Sequence, residues 1–136
     1  MKITIVAIVI LGMVALIFLL AFSKTGGNMK TYSVQQLKEK INNGDVLVIL
    51  DVRTPQEFNG EYGHIENAIL IPVQELQYRI GELESYRDRE IVAICRTQNR
   101  SRVAASILKD AGFENIAYTN GGMVEWHRHF GNGRRE

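Results

Sequence analysis

Short apolar runs of strand length alternate with helix-like stretches along most of this 136-residue chain. The apolar runs, several of them rich in β-branched residues, cover residues 46–50, 68–72, 91–95 and 115–119. The helix-like stretches are a short one that has proline in its first turn, residues 55–58, and four in which apolar residues recur at helical spacing, residues 34–42, 76–83, 101–111 and 123–129. Continuous apolar strands are typical of strands covered on both faces. The alternation therefore predicts an α/β fold, a small parallel sheet with helices on both faces.

Local signals mark several ends of these helices. Ser33 and Gln36 have the spacing of a capping box, which predicts a helix start at residue 34. Gly112 is a plausible C-cap for the helix before it. Gly121 and Gly122 precede the last helix and leave room for a tight turn.

The N-terminal segment contains 20 consecutive residues without a charge, residues 3–22. A helix of this length would span roughly 30 Å, which matches the hydrocarbon core of a bilayer. We expect a single-pass anchor in the cell membrane at residues 1–24, with a cleaved signal peptide as the alternative. Flanking lysines favour a cytoplasmic domain over a periplasmic or extracellular one by a small margin.

Composition changes after this segment. Residues 25–30 are predicted to be a short linker, residues 31–130 one domain, and residues 131–136 a basic tail. Residues 31–136 carry 13 basic and 15 acidic side chains, a net charge of −2, and no basic stripe runs along a predicted element. These features argue against a nucleic-acid-binding protein.

Cys95 is the single cysteine of the chain, so no intramolecular disulfide can form. It lies where an apolar strand ends and a loop leads into a helix, so backbone N–H groups and the positive helix end face it. Nearby Arg96, Arg100 and Arg102 add positive charge. This environment favours a thiolate nucleophile. The alternative is a small buried apolar residue with no chemical role.

Asp51 also lies at the carboxyl end of a predicted strand. Parallel sheets bind ligands at this edge. Fold and chemistry therefore point to one site, which contains Asp51 and Cys95.

Four separated motifs resemble those of the rhodanese family, and together they extend over nearly all of residues 31–129. They are DVRTPQEF at residues 51–58, GHIENAILIP at 63–72, CRTQNRS at 95–101 and GGMVEW at 121–126. Gln98 stands where the family's loop usually has glycine, and Leu70 stands where asparagine is usual.

This resemblance implies a rhodanese-type sulfurtransferase of the thiosulfate:cyanide class. Cys95 would accept sulfane sulfur from a small anion such as thiosulfate, or from a persulfide, and would pass it to cyanide, a thiol or a protein acceptor. In addition to Cys95, the resemblance implies a site made of six loop residues, Arg96, Thr97, Gln98, Asn99, Arg100 and Ser101. Arg96 and Arg100 are the candidates for donor recognition. Asp51 and Arg53 would be supporting residues. The resemblance implies no cofactor.

Other functions remain as alternatives. One is a non-catalytic rhodanese-like module that binds or senses at the membrane, to which it would be tethered. Another is a phosphatase or arsenate reductase of the same fold, but those loops place five residues between cysteine and arginine, whereas four separate Cys95 from Arg100. A disulfide oxidoreductase is disfavoured because no Cys-x-x-Cys pair is present. No metal site is expected, since His127 and His129 face apart on their helix.

Overall fold

The structure of the protein is a computed structural model that describes residues 8–15 and 29–131. The strands are β1 Lys30–Tyr32, β2 Leu47–Asp51, β3 Ile69–Leu70, β4 Glu90–Ile94 and β5 Ile116–Thr119. The helices are α1 Val34–Asn42, α2 Pro55–Phe58, α3 Val73–Arg79, α4 Asn99–Asp110 and α5 Gly122–Phe130. A 3-10 helix, Ile80–Tyr86, follows α3 directly, and a helical segment at residues 8–15 precedes β1.

The strands form one parallel sheet with the order β1-β5-β4-β2-β3. The central strand β4 pairs with β2 on one side and with β5 on the other, and Ile94 lies beside Asp51. Crossovers return each strand to the same direction, so the carboxyl ends of all five lie at one edge. The α/β fold predicted from the sequence is confirmed.

Two apolar clusters cover the two faces of the sheet. Successive residues of a strand point to opposite faces, so Ile91 and Ala93 pack on one side of β4 and Val92 and Ile94 on the other. The first side is closed by α3, the 3-10 helix and α4, and the second by α1 and α5. Cys95 continues the first series and therefore lies on the α4 side.

The edge strand β1 is not apparent from the sequence pattern, because its residues Lys-Thr-Tyr are mostly polar. A buried carboxylate holds it in place: Glu90, at the start of β4, accepts hydrogen bonds from Tyr32 Oη at 2.7 Å and from Lys30 Nζ at 3.2 Å. Lys40 of α1 forms an ion pair with the other oxygen of Glu90 at 3.2 Å. Backbone pairing with β5 and these side-chain contacts, all between distant segments, thus define this strand.

The predicted membrane location is contradicted. Among residues 8–15 and 29–131, no helix is long and apolar enough to cross a membrane. The described part of the predicted anchor is the helical segment at residues 8–15. The rest of the predicted anchor, residues 25–28 of the linker and residues 132–136 of the tail lie outside the described residues.

Candidate active site

Cys95 lies at the carboxyl end of β4, as the sequence predicts, although the strand ends one residue earlier than expected, at Ile94. Only three residues separate Cys95 from the start of α4. Because β4 is the central strand, the sulfur occupies the middle of the carboxyl edge of the sheet. The residue is 1% exposed. The loop that follows, residues 95–98, therefore controls access to the thiol.

The start of α5 fixes the backbone of this loop. The N–H of Met123 donates to the carbonyl of Cys95 at 2.9 Å, and the N–H of Val124 donates to the carbonyl of Arg96 at 3.1 Å. In a planar trans peptide the N–H points opposite to the C=O. The N–H groups of Arg96 and Thr97 therefore point away from α5, and they remain available to bind an anion.

Gly122 makes this contact possible. Its φ is +54°, and a Cβ added there would lie 2.5 Å from the carbonyl oxygen of Thr97, 2.6 Å from that of Arg96 and closer still to that of Cys95. Any other residue would displace the cysteine loop or the helix. The expected tight turn at Gly121 and Gly122 is confirmed. Glycine is needed at residue 122 because the loop carbonyls leave no room for a side chain.

Ser101 is the polar side chain hydrogen-bonded to the thiol. It is fully buried in the first turn of α4, and its Oγ lies 3.6 Å from Cys95 Sγ, which donates to it. The same hydroxyl donates to the carbonyl of Gln98 at 2.8 Å. The hydroxyl is thus held within reach of the sulfur by the loop itself.

Gln98 has a negative backbone φ. Its φ is −152° and its ψ is −38°, outside the left-handed region that favours glycine. Its carbonyl accepts hydrogen bonds from Ser101 and from the N–H of Arg102 at 3.1 Å. No positive φ therefore calls for glycine at this position of the loop.

Asp51 and Arg53 form a buried ion pair beside the cysteine loop. Both side chains are 0% exposed, and the guanidinium of Arg53 reaches the carboxylate through Nη2 at 2.7 Å and through Nε at 2.9 Å. Arg53 also donates to the carbonyls of Glu57 and Gly63, at 3.1 and 2.8 Å. A buried charge needs such partners, and these two hydrogen bonds hold the segment that follows β2.

Arg100 is bound by a carboxylate. Its Nη1 and Nη2 donate to the two carboxylate oxygens of Glu57 at 2.7 and 2.6 Å, and the side chains are 30% and 27% exposed. The hydrogen bonds from Arg100 lower the pKa of Glu57 to about 2, against the opposing effect of burial. Sequence reasoning about the site did not include Glu57, although the spacing of Thr54 and Glu57 is that of a capping box.

Arg96, Thr97 and Asn99 are exposed around the loop. The guanidinium of Arg96 lies 5.5 Å from the ring centre of Tyr62, within the range of a cation–π contact. Arg96 forms no ion pair with any residue of segment 29–131. Of the two arginines expected to recognise a donor, Arg96 is thus the one without a carboxylate partner.

Gly122→Ala is expected to lower the free energy of unfolding by about 2–5 kcal/mol, because the new methyl group overpacks against three carbonyl groups at a positive φ. Urea denaturation measures this loss. Gly44→Ala is the matched control, since Gly44 has a φ of +75° with nothing within 4 Å of the added Cβ, and it should lose only about 1–2 kcal/mol. Equal losses would contradict the packing role of Gly122.

The Glu57–Arg100 pair is expected to stabilise the fold in a pH-dependent way. Since the pKa of Glu57 lies at about 2, below its ordinary 4.5, the contribution is fully present above pH 4.5 and is lost as the pH falls towards 2. The difference in unfolding free energy between wild type and Glu57→Gln should be constant at neutral pH and should shrink below pH 4.5. Urea denaturation at several pH values tests this, and a pH-independent difference would contradict it.

Comparison with known proteins agrees with the geometry. A family model, the rhodanese-like domain, matches residues 33–129. The chain is 33% identical over 104 residues to the putative sulfur carrier protein YrkF of Bacillus subtilis, which covers 76% of this chain and 54% of that protein. It is 28% identical over 95 residues to a sulfurtransferase of Allochromatium vinosum, covering 70% of this chain and 85% of the relative.

A solved structure extends the comparison to the fold. A rhodanese-related protein from Thermoplasma volcanium superposes with a TM-score of 0.65 at 34% identity, covering 74% of this chain and 93% of that one. The chain thus spans about half the length of the first curated relative and nearly all of this structure. The family model covers more than half of the chain, and the protein therefore belongs to the rhodanese-like domain family.

Proposed function

We propose that this protein is a sulfurtransferase or persulfide carrier whose reactive group is Cys95. The domain at residues 31–130 would take sulfane sulfur from a small anionic donor, thiosulfate or a persulfide, and pass it to a thiophilic acceptor. Cyanide and small thiols are acceptors of this kind. The activity belongs to the thiosulfate:cyanide sulfurtransferase class.

The surroundings of the thiol carry the proposal. Cys95 Sγ lies against the buried Ser101 hydroxyl, in a loop whose carbonyls are bound by α5 and whose N–H groups point the other way. An anion bound in such a loop is stabilised by backbone N–H groups and by the start of α4. Both the thiolate and the persulfide are anions, so the same groups stabilise the free and the loaded states.

The first transfer forms one S–S bond and breaks another. The Cys95 thiolate attacks the outer sulfur of thiosulfate, the S–S bond of the donor breaks, and sulfite leaves with the bonding electron pair. In the second transfer cyanide attacks the outer sulfur of the Cys95 persulfide, which forms thiocyanate and regenerates the thiolate. The covalent intermediate divides the reaction into two displacements at sulfur.

The remaining site residues have positioning and binding roles in this proposal. The Ser101 hydroxyl can rotate from the carbonyl of Gln98 to donate to a thiolate at Sγ. Arg96 is the cation available to an incoming donor, together with the exposed Thr97 and Asn99. Asp51 and Arg53 hold the neighbouring segment in place.

The relatives support a protein acceptor as well as a small one. One relative is named a putative sulfur carrier protein and another a sulfurtransferase. A persulfide on Cys95 would be transferred to a partner's thiol by the same displacement, with the thiolate of Cys95 as the leaving group. We therefore include a protein thiol among the proposed acceptors.

Incubation of the full chain with thiosulfate should add the mass of one sulfur atom, and thiosulfate with cyanide should yield thiocyanate. Intact-mass spectrometry and a colorimetric assay measure these outcomes. Cys95→Ser should abolish both, because no other thiol is present. Absence of both reactions from a folded wild type, with thiosulfate and with other sulfane donors, would leave a non-catalytic binding module as the better explanation.

Gln98→Gly should preserve or raise the rate of sulfur transfer, with any loss below about threefold, because the φ of Gln98 is one that glycine adopts equally well. Thiocyanate release measured against thiosulfate concentration tests this. A much larger loss in a variant of unchanged stability would mean that the Gln98 carboxamide itself contacts the donor.

A further inference from the structure

We propose that Glu57 is a positioning residue of the cysteine loop, which acts by holding and neutralising Arg100. This inference rests on the proposed function and explains how the charge of the proposed donor site is set. The structure leaves Arg96 as the cation of the cysteine loop without a carboxylate partner, and it assigns Arg100 to the framework of the site.

The contacts of Glu57 fix its carboxylate from two sides. Arg100 makes the bidentate contact at 2.6 and 2.7 Å, and the amide and hydroxyl of Thr54 donate to Oε2 at 3.1 and 3.2 Å. The backbone of Glu57 is held as well, because its carbonyl accepts a hydrogen bond from Arg53. A carboxylate fixed in this way also fixes the guanidinium that it binds.

Arg100 is electrostatically coupled to the thiol. It directly precedes Ser101, whose hydroxyl contacts Cys95 Sγ. The hydrogen bonds with Glu57 are the largest effect that raises the pKa of Arg100, and the negative charges of Cys95 and Asp51 raise it further. A change in the charge partner of Arg100 is therefore felt at Cys95.

The charges around the thiol are then largely paired. Asp51 compensates Arg53, and Glu57 compensates Arg100. Arg96 forms no ion pair within segment 29–131. The balance of these five groups is one positive charge, and Arg102, exposed on α4, adds the same charge in the wild type and in every variant of these groups.

This balance suits a donor and a leaving group that are both dianions. One uncompensated cation and the loop N–H groups attract thiosulfate, but they attract sulfite in the same way. A second uncompensated cation would hold both more tightly, which lowers the KM for donor and slows release of product. Glu57 thus keeps the site from binding its own product too strongly.

Alkylation of Cys95 in the full chain measures this charge directly, because the chain has a single thiol. Iodoacetate is anionic and iodoacetamide is neutral. The rate constant for iodoacetate divided by that for iodoacetamide therefore reports the charge beside the thiol, and a more positive site gives a higher ratio. Glu57→Gln should raise this ratio about three- to tenfold at low ionic strength. The increase should shrink in about 0.5 M salt.

Matched variants separate charge from structure. Glu84 and Arg87 form a bidentate pair at 2.6 and 2.9 Å. This pair lies before β4 and hence at the opposite edge of the sheet, so Glu84→Gln removes the same charge far from the thiol. It should leave the ratio unchanged. Arg100→Gln should lower the ratio, and Glu57→Gln combined with Arg100→Gln should return it to the wild-type value, since both charges are then gone.

The proposal is overturned if Glu57→Gln changes both rate constants by the same factor, or if the double variant keeps the ratio of either single variant. A loosened fold would expose the thiol to both reagents equally, so it cannot imitate the expected result. Alkylation requires no sulfur transfer. If the alkylation ratios change as expected but no persulfide forms, the sulfurtransferase function alone is rejected. If the enzyme transfers sulfur but the ratios do not change, the role of Glu57 alone is rejected.

Discussion

The cysteine loop depends on the approach of α5 to its carbonyl groups. Hydrogen bonds from Met123 and Val124 bind the first two of these carbonyls, and Gly122 lets the helix come close enough to do so. Since each peptide unit is planar, binding the C=O on one side commits the N–H to the other. The paired glycines Gly121 and Gly122, which lie 26 and 27 residues after Cys95, are thus part of how the loop directs its N–H groups away from α5.

A second constraint is the pairing of charge at the carboxyl edge of the sheet. Asp51 and Arg53 are buried, and the cost of removing them from water is offset by their mutual hydrogen bonds and by backbone carbonyls. The carbonyl of Glu57 receives one of these hydrogen bonds, and its carboxylate binds Arg100. The Asp51–Arg53 and Glu57–Arg100 ion pairs, joined by the hydrogen bond from Arg53 to the carbonyl of Glu57, therefore connect β2 to α4.

The sequence predicts the elements that depend on local pattern, but it does not predict contacts between residues far apart in the chain. The strand before Asp51, the helix at 34–42 and the position of Cys95 follow from apolar runs and capping signals, and the structure confirms them. Strand β1 was missed because its pairing with β5 and its contact with Glu90 involve residues about 60 or more positions away. The partner of Arg100 was missed for the same reason, since Glu57 lies 43 residues earlier. The membrane location predicted from hydropathy is contradicted, since no helix among residues 8–15 and 29–131 is long and apolar enough to cross a membrane.

With Cys95 as the reactive group proposed above, its burial limits which sulfur donors fit the site. With 1% of the residue exposed, the reacting sulfur has to enter the loop and cannot be met at the protein surface. The terminal sulfur of thiosulfate or of a persulfide carries no substituent on its outer side, so it can approach a recessed nucleophile without steric conflict. A disulfide sulfur is substituted on both sides, so a recessed thiolate is less accessible to it. In the proposed function, the burial of Cys95 is therefore an argument for terminal sulfane sulfur over disulfides as the donor.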